Sequence, residues 1–122
     1  MILSENKLAF WTCSAVTSIN AAISFGFSVA ALLAPGAGGL YAMYAASRSV
    51  ACLLVVLASV LLRSRAAIAT MALTMGLVQT VDGVIGILSH DVSKTVGPFV
   101  LAAATFASAM ALFQSSAQRP SV

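Results

Sequence analysis

Four long apolar stretches separated by short polar breaks run along the chain. A membrane crossing takes about 20 apolar residues per helix. The pattern therefore predicts helices over about 8–33, 40–62, 66–88 and 97–113. The first break is "APGAGG", where Pro35 and three glycines stop the helix. The second is the basic turn "RSR", Arg63 to Arg65. The third, "SHDVSKTVGP", reads as the longest internal polar loop, with Pro98 in the first turn of the fourth helix. A polar tail, 114–122, follows. Helices are preferred over strands because a barrel strand would show alternation over about ten residues, not unbroken apolar runs. The expectation is an all-α, integral membrane four-helix bundle, up-down-up-down, in one transmembrane domain spanning 1–122.

Composition agrees. The 122 residues are 61% hydrophobic and 7% charged, with a mean hydropathy of +1.05. A soluble domain of this size has too much surface to cover with so few charges. The lipid bilayer is thus the first expected partner. "MILSENK" lacks a basic n-region, and the apolar run after it exceeds a signal-peptide core. It reads as a retained first helix.

The net charge of +3 comes from dispersed residues with no basic stripe and no interleaved aromatics, so nucleic acid is not an expected partner. With four spans, Lys7, Arg63, Arg65 and Arg119 fall on one side and Lys94 alone on the other. The positive-inside rule then puts both termini in the cytoplasm. Cys13 and Cys52 sit at different depths and form no CxxC, so both read as small buried hydrophobes. His90 has no second histidine to share a metal with. No metal site and no cofactor are expected.

Arg48 and Asp82 change the picture. They are the basic and the acidic residue inside the predicted spans. Arg48 lies roughly 12 Å and Asp82 roughly 10 Å below the same outer face, at 1.5 Å per residue. A charge at such depth costs roughly 2.5–3.5 kcal/mol on insertion scales. An ion pair between helices 2 and 3 is the cheapest arrangement. Arg48 alone could snorkel to the headgroups. Asp82 cannot, because its Cβ tilts away from the near surface.

Helical spacing extends the site. Tyr41, Tyr44 and Arg48 share one stripe, as do Met75, Gln79, Asp82, Gly86 and Ser89, and Cys13, Thr17, Asn20 and Ser24. Ser24, Arg48, Asp82 and Thr105 form one polar layer, with Asn20 and Gln79 extending it toward the midplane. Tyr41, Tyr44, His90 and Asp91 are expected near its rim. Polar groups in a bilayer face the bundle interior. The predicted ligand-binding set is Asn20, Ser24, Tyr41, Tyr44, Arg48, Gln79, Asp82 and Thr105. On helix 4, Ala103, Ala107 and Ala111 repeat at four-residue spacing, as do Ala104 and Ser108. That face reads first as intramolecular packing, with a homo-oligomer as the alternative.

Three functional classes remain. The leading one is an accessory membrane protein whose outward-facing polar core binds a small lipophilic or amphipathic molecule. The second is a small intramembrane isomerase or cyclase, with Asp82 as acid or base, Arg48 stabilising an oxyanion and Tyr44 donating a proton. The third is a purely structural ion pair. Drug/proton antiporters of this size use a glutamate in helix 1, whereas Glu5 precedes the predicted helix. Quinone-type reductases need cysteine pairs, and membrane cytochromes need paired histidines.

The motifs "ASRSVA" (Arg48), "RSRAA" (Arg63, Arg65) and "TVDGVIGI" (Asp82), followed by His90, resemble the small bacterial four-helix membrane proteins of the DoxX-like group, closest to a family of uncharacterised function. The resemblance spans about 35–112. It implies a four-helix bundle in the bacterial inner membrane and no defined reaction. Relatives often carry Asp or Asn after the arginine and a histidine in helix 4. Here Ser49 follows Arg48 and helix 4 has no histidine.

Overall fold

A computed structural model describes residues 2–34 and 39–117. The glycine-rich break at 35–38, Arg119 and the end of the polar tail lie outside the described residues. Four helices make up the rest: α1 (Ile2–Leu33), α2 (Gly39–Leu61), α3 (Arg65–Leu88) and α4 (Val92–Ala117). Each contains a segment long and apolar enough to cross a membrane: Lys7–Leu33, Gly39–Leu61, Arg65–Leu88 and Val92–Ser115.

Three boundaries differ from the sequence reading. α1 begins at Ile2, so Glu5 belongs to it. The apolar span still starts at Lys7. Leu3, Glu5 and Lys7 are good helix formers, and they extend the helix beyond its apolar part. α4 reaches Ala117, where a tail from Gln114 was expected. Ser115 is buried there, and its hydroxyl accepts from Arg65 Nη2 at 2.6 Å.

The third correction concerns the expected loop at 89–98. Its second half is helix, and Pro98 stands inside α4 rather than in its first turn. The turn itself is short. Ile87 and Gly86 carbonyls accept from the His90 and Asp91 N–H groups. His90 takes a positive φ of 57°, which closes α3 in a Schellman motif. Asp91 then caps α4, its carboxylate accepting from the Lys94 N–H at 3.2 Å and the Ser93 hydroxyl at 3.0 Å. These bonds, the Lys94 N–H foremost, hold the Asp91 carboxyl below the usual carboxylate range. The α2–α3 turn repeats the device. Arg63 has φ 52°, the Val60 and Ser59 carbonyls accept from Arg63 and Ser64 N–H groups, and the Ser64 hydroxyl caps α3 at the Ala67 N–H.

α3 and α4 are the most extensively packed pair. Glycines on α3 permit this. Gly76 lies under the Phe106 ring and Gly83 under the Phe99 ring. Gly86 abuts the backbone of Lys94 and Thr95, where a Cβ would strike the Lys94 carbonyl. α1 packs on the other three helices, whereas α2 meets α1 and α3 but not α4 among the described residues. One apolar cluster joins α1, α3 and α4 around Phe10, Cys13, Ile68, Ala72, Ala109 and Leu112. A second joins α1, α2 and α3 through Ala21, Val56 and Met75.

The interior is otherwise small and polar, with Ser14, Thr17, Asn20, Ser49, Gln79 and Thr105 buried. Large apolar side chains such as Leu54, Leu61, Leu77 and Val100 cover the outside. Lipid offers them as good a solvent as a core would, so small residues and hydrogen bonds carry helix association. The alanine stripe of α4 falls on the other side from that expected for packing. Ala103, Ala107 and Ala111 are exposed, as is Ala104, while Ala102, Thr105, Ser108 and Ala109 are buried. Thr105 lies on the packed side, bonded to Asn20 at 2.8 Å, and Phe99 and Phe106 pack on α3 glycines, which leaves the alanines facing outward.

Candidate functional site

The polar layer divides into two connected parts. The first is a buried hydrogen-bond chain across α1, α3 and α4. Asn20 Nδ2 donates to Thr105 Oγ1 at 2.8 Å. Gln79 Nε2 donates to Asn20 Oδ1 at 2.6 Å and to Ser24 Oγ at 2.8 Å. The Thr105 hydroxyl donates to the Leu101 carbonyl at 2.6 Å. Four of the predicted site residues therefore meet directly.

The second part is the ion pair. Arg48 Nη2 stands 3.8 Å from Asp82 Oδ1, as the depth argument predicted. The contact is loose, and the two side chains are 53% and 31% exposed. Asp82 accepts no hydrogen bond among the described residues. An ionised carboxylate offers about four lone-pair sites, so most of its accepting capacity is unused.

Beside these groups lies a cavity of about 790 Å³ between α1, α3 and α4, at the end where α3 turns into α4. Gln79 and Asp82 line its polar end. Ile23, Ile85, Val100 and Leu101 form apolar walls, and Ser93 and Lys94 stand near the turn. This is a volume of the size that takes small organic ligands, which generally occupy apolar clefts with a few placed polar groups.

Of the eight predicted ligand-binding residues, Gln79 and Asp82 line the cavity. Tyr41 and Tyr44, 81% and 67% exposed on α2, join neither the cavity, the hydrogen-bond chain nor the ion pair. They lie on a helical stripe with Arg48, but α2 packs with Ala42, Ala46 and Ser49 inward. The rings consequently face away from the other helices. His90 and Asp91 line a separate, smaller recess beside the α3–α4 turn.

Sequence reasoning passed over two features. Ser28 and Ser49 bond to each other at 2.7 Å and tie α1 to α2. The signal was available, since Ser28 stands one turn beyond Ser24 and donates to its carbonyl at 2.9 Å. The cavity walls left no signal, because Ile23, Val100 and Leu101 look like any lipid-facing residues. Scans against family models, curated proteins and solved structures give a plain result. No family model, curated protein or solved structure matches the chain.

Proposed function

We propose that this chain is a small multi-pass membrane protein that takes a small lipophilic or amphipathic molecule into the cavity between α1, α3 and α4. One observation carries the reading. Asp82 pairs loosely with Arg48 and also lines an apolar cavity of about 790 Å³. An intramembrane carboxylate with unused acceptors, next to a ligand-sized space, is expensive to maintain for structure alone. In the enzyme reading Tyr44 would donate a proton, yet its exposed position on α2 leaves Asp82 without that partner.

The proposal includes orientation. Lys7, Arg63 and Arg65 outnumber Lys94, which supports an up-down-up-down bundle with both termini cytoplasmic. The cavity would then open toward the outer face of a bacterial inner membrane. Membership of the DoxX-like group is part of the same proposal, supported by the motifs around Arg48, Arg63 and Asp82.

Native mass spectrometry of the detergent-solubilised protein tests the central claim. A reproducible adduct on the wild type, lost in Asp82→Asn, is the expected result. A mass without adduct for both proteins would overturn the ligand reading and leave a structural ion pair. The same spectra report subunit number.

A further inference from the structure

The polar end of the cavity has a chemical sense, set by one threonine. Thr105 Oγ1 lies 2.6 Å from the Leu101 carbonyl, which has no proton to give. The single hydroxyl proton of Thr105 is committed there. Toward Asn20, 2.8 Å away, Thr105 can only accept, so Asn20 must present Nδ2. Asn20 Oδ1 then faces Gln79 at 2.6 Å. Two amide oxygens cannot share that contact, so Gln79 must present Nε2. Its second N–H goes to Ser24 Oγ at 2.8 Å. The amide orientations, which are often ambiguous, follow here from proton counting.

Both protons of Gln79 are thus used inside the helix assembly, and Oε1 is left with no donor among the described residues. Asp82 beside it also accepts no hydrogen bond. Both side chains line the cavity. The free valences at its polar end are therefore acceptors. The serine donors on the lining are committed near the turn, where Lys94 also stands, loosely paired with Asp91 and 76% exposed. Ser89 donates to the Ile85 carbonyl at 2.9 Å, Ser93 to Asp91 at 3.0 Å, and the Lys94 ammonium lies 3.8 Å from Asp91. Arg48 approaches Asp82 but is not part of the cavity lining.

We propose that the cavity selects amphiphiles whose head group is a hydrogen-bond-donating cation, an alkylammonium, held by the Asp82 carboxylate and Gln79 Oε1. The apolar chain lies against Ile23, Ile85, Val100 and Leu101. An anionic head group placed against Gln79 Oε1 and the Asp82 carboxylate meets two acceptors and is disfavoured there, since buried polar groups without complementary partners are costly. A charged donor on a carboxylate is about twice as strong as a neutral pair. This inference rests on the reading of the cavity as a ligand site.

The test compares dodecylammonium, dodecan-1-ol and dodecanoate, which share one chain, on the protein in lipid nanodiscs. The wild type is expected to bind dodecylammonium at least about tenfold tighter than dodecanoate. Asp82→Asn is expected to erase that preference. Ile23→Trp replaces a partly exposed apolar wall residue that is not a member of the polar chain, narrows the cavity, and is expected to weaken all three probes. Dodecanoate binding as tightly as dodecylammonium would overturn the head-group assignment while leaving the ligand site in place. A preference that survives Asp82→Asn would overturn it too. Absence of saturable binding for every probe, or binding indifferent to Ile23→Trp, would overturn the ligand site itself.

Discussion

Asn20 and Thr105 stand 85 residues apart in sequence and meet at 2.8 Å, where α1 crosses α4. Their bond does two things. It ties the buried side of α4 to α1, and it sets the amide of Gln79 in one orientation. Interhelical hydrogen bonds in membranes average about 0.6 kcal/mol and reach about 1.7. Thr105→Val removes the acceptor and leaves Asn20 Nδ2 buried without a partner. It is expected to lower unfolding free energy by about 1 kcal/mol. In a double-mutant cycle with Asn20→Leu the effects should fall short of additivity, measured by reversible unfolding in bicelles.

The α3–α4 contact makes a graded prediction. An alanine at Gly86 would meet the backbone of Lys94 and Thr95, which cannot turn aside. At Gly76 and Gly83 it would meet the Phe106 and Phe99 rings, which can. At Gly26 it would meet nothing within 4 Å. Overpacking costs about 1–3 kcal/mol, while helix propensity favours alanine over glycine by about 0.5–1 kcal/mol. Melting temperatures in detergent should fall most for Gly86→Ala, less for Gly76→Ala and Gly83→Ala, and rise slightly for Gly26→Ala. Equal losses at all four sites would contradict this packing.

Arg48 and Asp82 are too loose to be a strong tie. At 3.8 Å the contact is long, and replacing both charges of a desolvated pair by apolar groups of similar volume is often neutral or stabilising, by about 1–4 kcal/mol. Arg48→Met/Asp82→Leu is expected to be as stable as the wild type or more so, and to lose the cavity adduct. A large loss of stability in the double variant would show that the pair holds α2 to α3.

The two tight turns carry left-handed residues with side chains. Arg63 at φ 52° and His90 at φ 57° occupy a region that costs an L-residue about 1–2 kcal/mol. Arg63→Gly and His90→Gly should each raise stability, by about 1 kcal/mol, in equilibrium unfolding. Ser64→Ala removes the α3 cap and should lower it by a similar amount, about 1 kcal/mol.

Asp91 gives a pH signature. Its folded pKa is lowered by the Lys94 N–H and the Ser93 hydroxyl. Its contribution is therefore complete above the unfolded pKa, about 3.9, and lost as pH falls through the lower folded value. The melting temperature should decline below about pH 4 in the wild type, and this component should vanish in Asp91→Asn.

How much was legible beforehand varies from residue to residue. Arg48 facing Asp82 could be read from rise per residue alone, because the turn end and the helix geometry set both depths. The Asn20, Ser24, Gln79 and Thr105 cluster followed from the cost of a polar side chain in lipid. Tyr44 could not be placed that way. Its stripe with Arg48 is correct, but an aromatic hydroxyl tolerates lipid-facing positions that an aspartate does not. α4 starts at Val92 rather than near Gly97, because the polar run before Gly97 resembles a loop, whereas His90 and Asp91 close one helix and open the next.

The amino-acid sequence by itself determined the four spans and the matching heights of Arg48 and Asp82, since one-dimensional spacing converts directly to height along a helix. Only the tertiary structure decided which side of each helix faces its neighbours. Helix phase depends on contacts such as Thr105 with Asn20 and Gly86 with Lys94, which join residues far apart in the chain. Those phases turned the Ala103 stripe and Tyr44 outward and left a cavity beside Asp82.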